Sequence, residues 1–219
     1  MKGGTVEDLY DFMSSEIAWR RKELDDIKGL IAANVKFESK HKVLLRSGVA
    51  MLYAHWEGFI KKVGKYYINF VGKRRFKYSE LSTSFLALSL RQRIATVSAD
   101  NISSLIELIE FFDKGMDNRM VGLSKEEVNT RSNLNSTVLK NIVYSLGLDY
   151  SAFASKSTLI DVKLVEKRNA IAHGQEVQID ENDFTELLDN VLIMMNEFRN
   201  QVDNCASQCS YKRGVVTGY

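Results

Sequence analysis

An arginine occupies a position where an amphipathic helix calls for a leucine. On a helix that advances about 100° per residue from Ile160, the side chains of Ile171, Leu164, Ala172 and Val165 fall on one apolar arc, and Arg168 lands inside it at about 80°. A guanidinium keeps its charge, so facing an interior it needs an acid, a ring of acceptors or an anionic ligand. Asn169 and His173 lie four residues apart and share the neighbouring face, which gathers one Arg, one Asn and one His at a helix end. Two readings of the cluster stand side by side. In one, Arg168 pairs with Asp161 or another carboxylate, and His173, just before Gly174, meets the last helical carbonyls and the dipole. In the other, Arg168 holds an anion beside Asn169 and His173.

The elements that must position this cluster read as helices. Thr5 followed by Glu7 and Asp8 is a helix start, and Val6, Leu9, Met13, Ile17, Leu24, Ile27 and Ile31 continue it as one long amphipathic stripe. A second long helix begins near Ser39 and ends at Gly72. Shorter helices follow over residues 84–97, 102–113 and 136–146, with Asn101 and Asn135 as caps. Between them, residues 114–134 are polar and weakly periodic and read as an insertion or surface loop, despite the capping-box pattern Ser124-Lys125-Glu126-Glu127. The motif helix spans residues 158–172, and residues 176–179 alternate as a lone strand or a turn would. A last helix carries the stripe Phe184, Leu187, Leu188, Val191, Met194, Met195, Phe198 and Val202, with acids at its start. The expectation is an all-α bundle: one domain over residues 1–203 with a four-helix core, extra helices and a central insertion at 114–134, followed by a mobile tail over 204–219.

Composition agrees with a helical globule. The 219 residues are 45% hydrophobic and 26% charged, outside the disordered regime, and hold no proline, where average usage gives roughly 11. Helices tolerate that absence better than sandwiches or loop-rich secreted folds. The longest uncharged stretches are ten residues, 47–56 and 81–90, against the ~20 that cross a bilayer, so no membrane span is expected. The first eight residues lack the apolar run of a secretory signal, which leaves the cytoplasm as the expected location. Cys205 and Cys209 offer two metal ligands where a closed site wants about four, so they read as a reduced, incidental pair and no metal or other cofactor is expected. Residues 61–78 carry seven basic side chains and no acid, so the rest of the chain holds a net −5 against the overall +2.

The stretch Leu164-Val165-Glu166-Lys167-Arg168-Asn169-Ala170-Ile171-Ala172-His173-Gly174 resembles the R-x4-6-H motif, in its Arg-polar-x3-His form, of the HEPN superfamily, the higher eukaryotes and prokaryotes nucleotide-binding helical domains. With Tyr53-Ala54-His55-Trp56-Glu57-Gly58-Phe59-Ile60-Lys61 and Ser132-Asn133-Leu134-Asn135-Ser136, it is similar to a branch of bacterial stand-alone HEPN-like nucleases over most of residues 15–200. The resemblance implies a metal-independent endoribonuclease with Arg168 and His173 catalytic and Asn169 supporting them. It also implies a composite site at a homodimer interface, because His41 and His55 belong to earlier helices and leave one motif histidine per chain. The residue types suit that chemistry: cutting RNA through its own 2′-hydroxyl needs proton removal, leaving-group protonation and support for an anionic transition state. A histidine of unperturbed pKa ~6.5 can do either proton task, and an arginine fork matches phosphate oxygens. Ala170 and Ala172 would permit close approach of a partner.

Glu57 interrupts the apolar face of Leu52, Trp56, Phe59, Ile60 and Val63, either to support the site or as a solvated partner of Lys61 one turn on. Lys61, Lys62, Lys65, Lys73, Arg74, Arg75 and Lys77 interleave with Tyr66, Tyr67, Phe70, Phe76 and Tyr78. These could guide single-stranded RNA through phosphate contacts and base stacking, or form a solvated charge run above core aromatics. By analogy the protein would act as a toxin or defence effector, with RNA as substrate and an antitoxin or defence-system protein as a partner. The alternative is a non-catalytic helical module that binds a nucleotide or RNA, with Arg168 as its anion anchor.

Overall fold

A computed structural model describes residues 4–98, 100–121, 123, 128–130 and 132–214. Helix α1 (Val6–Ala33) starts on a reciprocal cap: Thr5 Oγ1 accepts the Asp8 N–H at 3.0 Å, and the Asp8 carboxylate accepts the Thr5 N–H at 3.1 Å. Helix α2 (Glu38–Gly72) is 35 residues long, a rod of about 52 Å at 1.5 Å per residue. It carries the central row Leu52, Trp56, Phe59, Ile60 and Val63, all fully buried. Short helices α3 (Thr83–Ala95), α4 (Ile102–Glu110), α5 (Ser136–Ser145) and α6 (Ser151–Ala154) occupy the middle of the chain. Asn101 and Asn135 cap α4 and α5, as their sequence positions predict. A π-helical stretch, Leu159–Glu166, runs directly into α7 (Lys167–Ala172), and α8 (Glu181–Ser207) closes the bundle with Asp180 as its cap.

The core is a four-membered pack of α1, α2, α8 and the π-helix–α7 rod. Gly48 sets the α2–α8 spacing, since a Cβ there would stand 2.8 Å from the Phe184 ring. Deeper in, Phe59 meets Phe198 edge-on at 6.4 Å. The bundle is all-α as expected, and among the described residues there is no strand. The alternating residues 176–179 form a loop, and the extended pairings are isolated bridges at Lys77–Arg119 and Leu81–Lys212. No helix among the described residues is long and apolar enough to cross a membrane.

Two local expectations change. Residues 114–134 are not simply a surface loop: Met120, Val128, Thr130 and Leu134 are buried, because the segment doubles back over α2 and Val128 packs on Gly64. Their polar neighbours mask a few apolar anchors too sparse to show a period. The capping-box pattern at 124–127 lies outside the described residues. The chain beyond Asn204 is not a mobile tail as far as Gly214: α8 continues through Ser207, and Tyr211 is buried among the rings of Phe70, Phe76 and Phe85. One aromatic anchor, with the Ser82 N–H donating to the Tyr211 carbonyl at 2.8 Å, suffices to hold it.

A buried ion cluster joins α1 to α2 and has no counterpart in the sequence reading. Arg20, 2% exposed, meets Glu16, 8% exposed, at 2.5 Å, and its Nε donates to the His55 carbonyl at 3.2 Å. Lys62 reaches the same carboxylate at 3.3 Å, and the Arg20 guanidinium lies 4.3 Å from the Trp19 ring. The adjacent His55 imidazole lies 3.1 Å from Glu23, yet burial holds its pKa below the ordinary histidine value, with Arg20 acting in the same sense. Glu16→Ala strands a buried guanidinium and is expected to destabilise the fold by about 3–5 kcal/mol in urea unfolding; replacing both partners by apolar residues of similar size should cost far less.

Candidate functional site

The motif helix is not a regular α-helix where the motif begins. Leu159–Glu166 is π-helical, and its i→i+5 bonding places more residues in each turn than an α-helical wheel allows. The faces beyond it are therefore displaced: Ile160, Leu164 and Val165 are buried, Arg168 and Ile171 are half-buried, and Ala172, expected on the inner arc, is exposed. Such π segments cluster at functional sites.

Arg168 is held by two groups that sequence spacing did not assign to it. Its guanidinium carbon lies 3.8 Å from the centroid of the Tyr53 ring on α2, and its Nη2 donates to the Ser132 carbonyl at 2.9 Å. Its Nε is buried without a hydrogen-bond partner. Asp161, the first carboxylate to suspect, is turned away: it accepts the Ser136 N–H at 2.7 Å and the Ser136 hydroxyl at 2.6 Å. Among the described residues no carboxylate forms an ion pair with Arg168.

The platform beneath the guanidinium is braced by the same doubled-back segment. The Tyr53 hydroxyl accepts the Leu134 N–H at 2.7 Å. Burial raises the Tyr53 pKa above its ordinary value, with the Leu134 N–H opposing, Glu57 reinforcing and Arg168 opposing that rise. Glu57, one turn beyond Tyr53, accepts the hydroxyl proton of the fully buried Thr130. The structure therefore brings Glu57 to the Tyr53–Arg168 group and shows no ion pair between Glu57 and Lys61. Tyr53 and Ser132 both fall in segments that carry the family resemblance, but no period or spacing links residues so distant to Arg168. Thr130 gave no sequence signal at all.

His173 closes α7. Its backbone N–H bonds the Asn169 carbonyl at 2.9 Å, and Gly174, at φ +75°, turns the chain so that the Gln175 N–H reaches Ala170. Arg46 ties this exit to α2 by donating to the Gln175 carbonyl at 2.8 Å. The His173 side chain is exposed and Asn169 is half-buried. His173 lies five positions after Arg168, about 7.5 Å along a helix axis. His41 lies beside Glu181 and His55 beside Glu23, so one chain brings one histidine to the motif.

The basic stretch is not one surface. Lys61 and Lys65 follow Glu57 at intervals of four on α2, whereas Lys73, Arg74, Arg75 and Lys77 sit at or beyond its C-terminal end, about 30 Å from Tyr53 at 1.5 Å per residue. Lys62 and Lys77 are drawn into ion pairs with Glu16 and Asp117, and Arg74 stacks 3.6 Å from the Phe70 ring. Tyr67, Phe70 and Tyr78 are core side chains and cannot stack on a base, and Tyr66 lies against Phe12 with 4.1 Å between centroids. Among the described residues no three or more His, Cys, Asp or Glu side chains are grouped to hold a metal ion, and both cysteines are free thiols.

Bundle and motif together make a helical domain that carries an arginine and a histidine at the end of one helix. The chain matches the family model described as HEPN_MAE_28990-like HEPN over residues 10–211, and it belongs to that family. Membership suggests a nuclease or RNA-related function. No curated protein and no solved structure gives a significant match.

Tyr53→Phe keeps the ring under Arg168 but leaves the buried Leu134 N–H without an acceptor. It is expected to cost about 1–3 kcal/mol in urea unfolding. Tyr53→Leu should cost more, since the guanidinium contact is lost as well.

Proposed function

We propose that this chain is a metal-independent endoribonuclease in which Arg168, Asn169 and His173 of two protomers face one another across a homodimer interface. The observation that carries the proposal is Arg168 itself: a half-buried guanidinium, held over an aromatic ring with no carboxylate partner among the described residues, five residues before an exposed histidine. A charge kept at that cost is suited to an anionic ligand, and a phosphodiester supplies two oxygens that fit the fork. In the reaction the 2′-hydroxyl of RNA attacks the adjacent phosphorus, the 5′-oxygen leaves, and a 2′,3′-cyclic phosphate forms. One His173 accepts the 2′-hydroxyl proton and the partner protomer's copy of the same residue donates a proton to the leaving oxygen, while the arginines stabilise the charge on the phosphoryl oxygens. Asn169 orients the histidine, and Glu57 acts through Tyr53 as a positioning residue.

Lys61 and Lys65, along α2 from Tyr53, form the near end of the RNA path; Lys62, Lys73, Arg74, Arg75 and Lys77 lie to its side or at its far end. In the cell this reading makes the protein a cytoplasmic toxin or defence effector restrained by a partner protein.

The test is RNA cleavage in EDTA with the products analysed for cyclic phosphate ends. His173→Ala and Arg168→Ala should each abolish cutting, and His173→Ala should change stability by no more than the ~0.3–1 kcal/mol of a helix-end charge. A folded His173→Ala chain that cuts at the wild-type rate overturns the assignment, and nucleotide binding without cleavage by the wild-type chain favours the non-catalytic module. Neutralising Lys61 and Lys65 together should flatten the salt dependence of RNA binding more than neutralising Lys73, Arg74 and Arg75, as measured by titration at several salt concentrations.

A further inference from the structure

Three segments far apart in sequence meet at the end of α2 that is remote from Arg168. Residues 73–80 leave the helix, residues 117–120 run antiparallel beside them, and residues 211–213 return from the end of α8. The Met120 N–H donates to the Phe76 carbonyl at 2.8 Å, the Arg213 N–H to the Glu80 carbonyl at 2.8 Å, and the Arg119 guanidinium to the Arg75 carbonyl at 3.1 Å. Arg75 itself takes φ +50°, a left-handed position that favours glycine or asparagine. An arginine kept in that conformation, its carbonyl held by a second arginine, persists only because the packing around it fixes the turn.

The junction concentrates charge. Lys73 to Lys77 contribute four cations, and Arg119, Lys212 and Arg213 bring three that lie outside the basic stretch of the sequence. Against these seven the same segments hold two acids, Glu80 and Asp117, a local +5 in a chain of net +2. Both acids serve Lys77: the Glu80 carboxylate accepts its N–H at 2.8 Å, and Asp117 pairs with its ammonium at 3.4 Å. Arg75, Arg119 and Arg213 are exposed and, among the described residues, form no ion pair. Like charges gathered without counter-charges repel, so this face is suited to a polyanion.

The rings in these segments decide which polyanion. Tyr78 and Tyr211 are buried, and Phe76 is half-buried against Tyr211 with the Lys212 ammonium 4.7 Å from its ring. Single-stranded RNA is held by bases that stack on bare rings, whereas helical RNA is met through its phosphates and its shape. A cationic surface whose rings are covered fits the second.

We propose that this end of the bundle docks the phosphate backbone of a helical RNA arm, which makes the substrate a folded RNA longer than the ~30 Å along α2 to Tyr53. The identity of the ligand rests on the RNA-cleaving reading of the motif. Single strands too short to span that distance meet Lys61 and Lys65 and do not reach this face.

The test measures binding by fluorescence anisotropy at several salt concentrations, in chains carrying His173→Ala so that no RNA is cut. The probes are a hairpin of about 16 base pairs and a single strand of about six nucleotides. Arg119→Gln with Arg213→Gln should weaken hairpin binding about tenfold, reduce its salt slope by roughly one to two, and leave the short strand unchanged. Arg213→Gln alone keeps the Arg119–Arg75 contact and should give about half that slope change, which separates lost phosphate contacts from a disturbed turn. An unchanged hairpin affinity, an equal loss on the short strand, or displacement of the hairpin by poly-glutamate as readily as by unlabelled hairpin each overturns the proposal; the last would show a surface for acidic protein. A wild-type chain that cuts no RNA, while the arginine variants still lose hairpin binding, overturns the nuclease reading and supports this surface.

Discussion

Burial along α2 is the constraint on which the rest of the molecule depends. Fifteen of its 35 residues are buried, and they lie on more than one side of the helix, because α1, α8 and the motif rod all pack against it. A rod surrounded in this way cannot rotate or slide without exposing Trp56, Phe59 and Ile60. Tyr53 and Glu57 are therefore fixed relative to α7 by the hydrophobic core itself, and Arg168 inherits their placement. The site is held on the outside of the most tightly constrained helix, which gives a guanidinium a defined position without an ion pair to set it.

Two arginines show the contrast. Arg20 is almost wholly buried, and the structure neutralises it with Glu16, a backbone carbonyl and the face of Trp19. Arg168 is half-buried and receives a ring and a carbonyl, contacts that position a cation without cancelling its charge. The first arrangement joins two helices. The second leaves a positive charge near the surface, the arrangement on which the proposed anion-binding role of Arg168 rests. Asp161 shows that a carboxylate was within the same helix and was assigned to Ser136 instead.

The segment over residues 128–136 ties these parts together. Thr130 engages Glu57, Ser132 engages Arg168, Leu134 engages Tyr53 and Ser136 engages Asp161. Four successive even-numbered residues thus touch four side chains that line the site. Ser132 sits at φ +54° and the Asn133 N–H bonds the Thr130 carbonyl, so this is a turn whose backbone carbonyl and N–H groups make two of the four contacts.

The helical class, the long elements and the caps Thr5, Asn101 and Asn135 were determined by the sequence alone, because periods of 3.6 residues and Thr or Asn at helix starts are local properties that need no partner. Arg168 and His173 were legible for the same reason: a charged side chain on an apolar arc and a histidine before a helix-ending glycine are visible in one dimension. The tertiary structure decided what Arg168 touches, since Tyr53 and Ser132 reach it only after α2 and the doubled-back segment are packed. It also decided that Arg20 and Glu16 lie inside, that Tyr211 anchors the chain beyond α8, and that the basic stretch divides between the body of a long rod and its C-terminal end. Local periodicity reports which face of a helix is apolar, but pairing between distant segments is set by how those faces fill one core. A single buried ring or an unpaired guanidinium has no period from which it could be read.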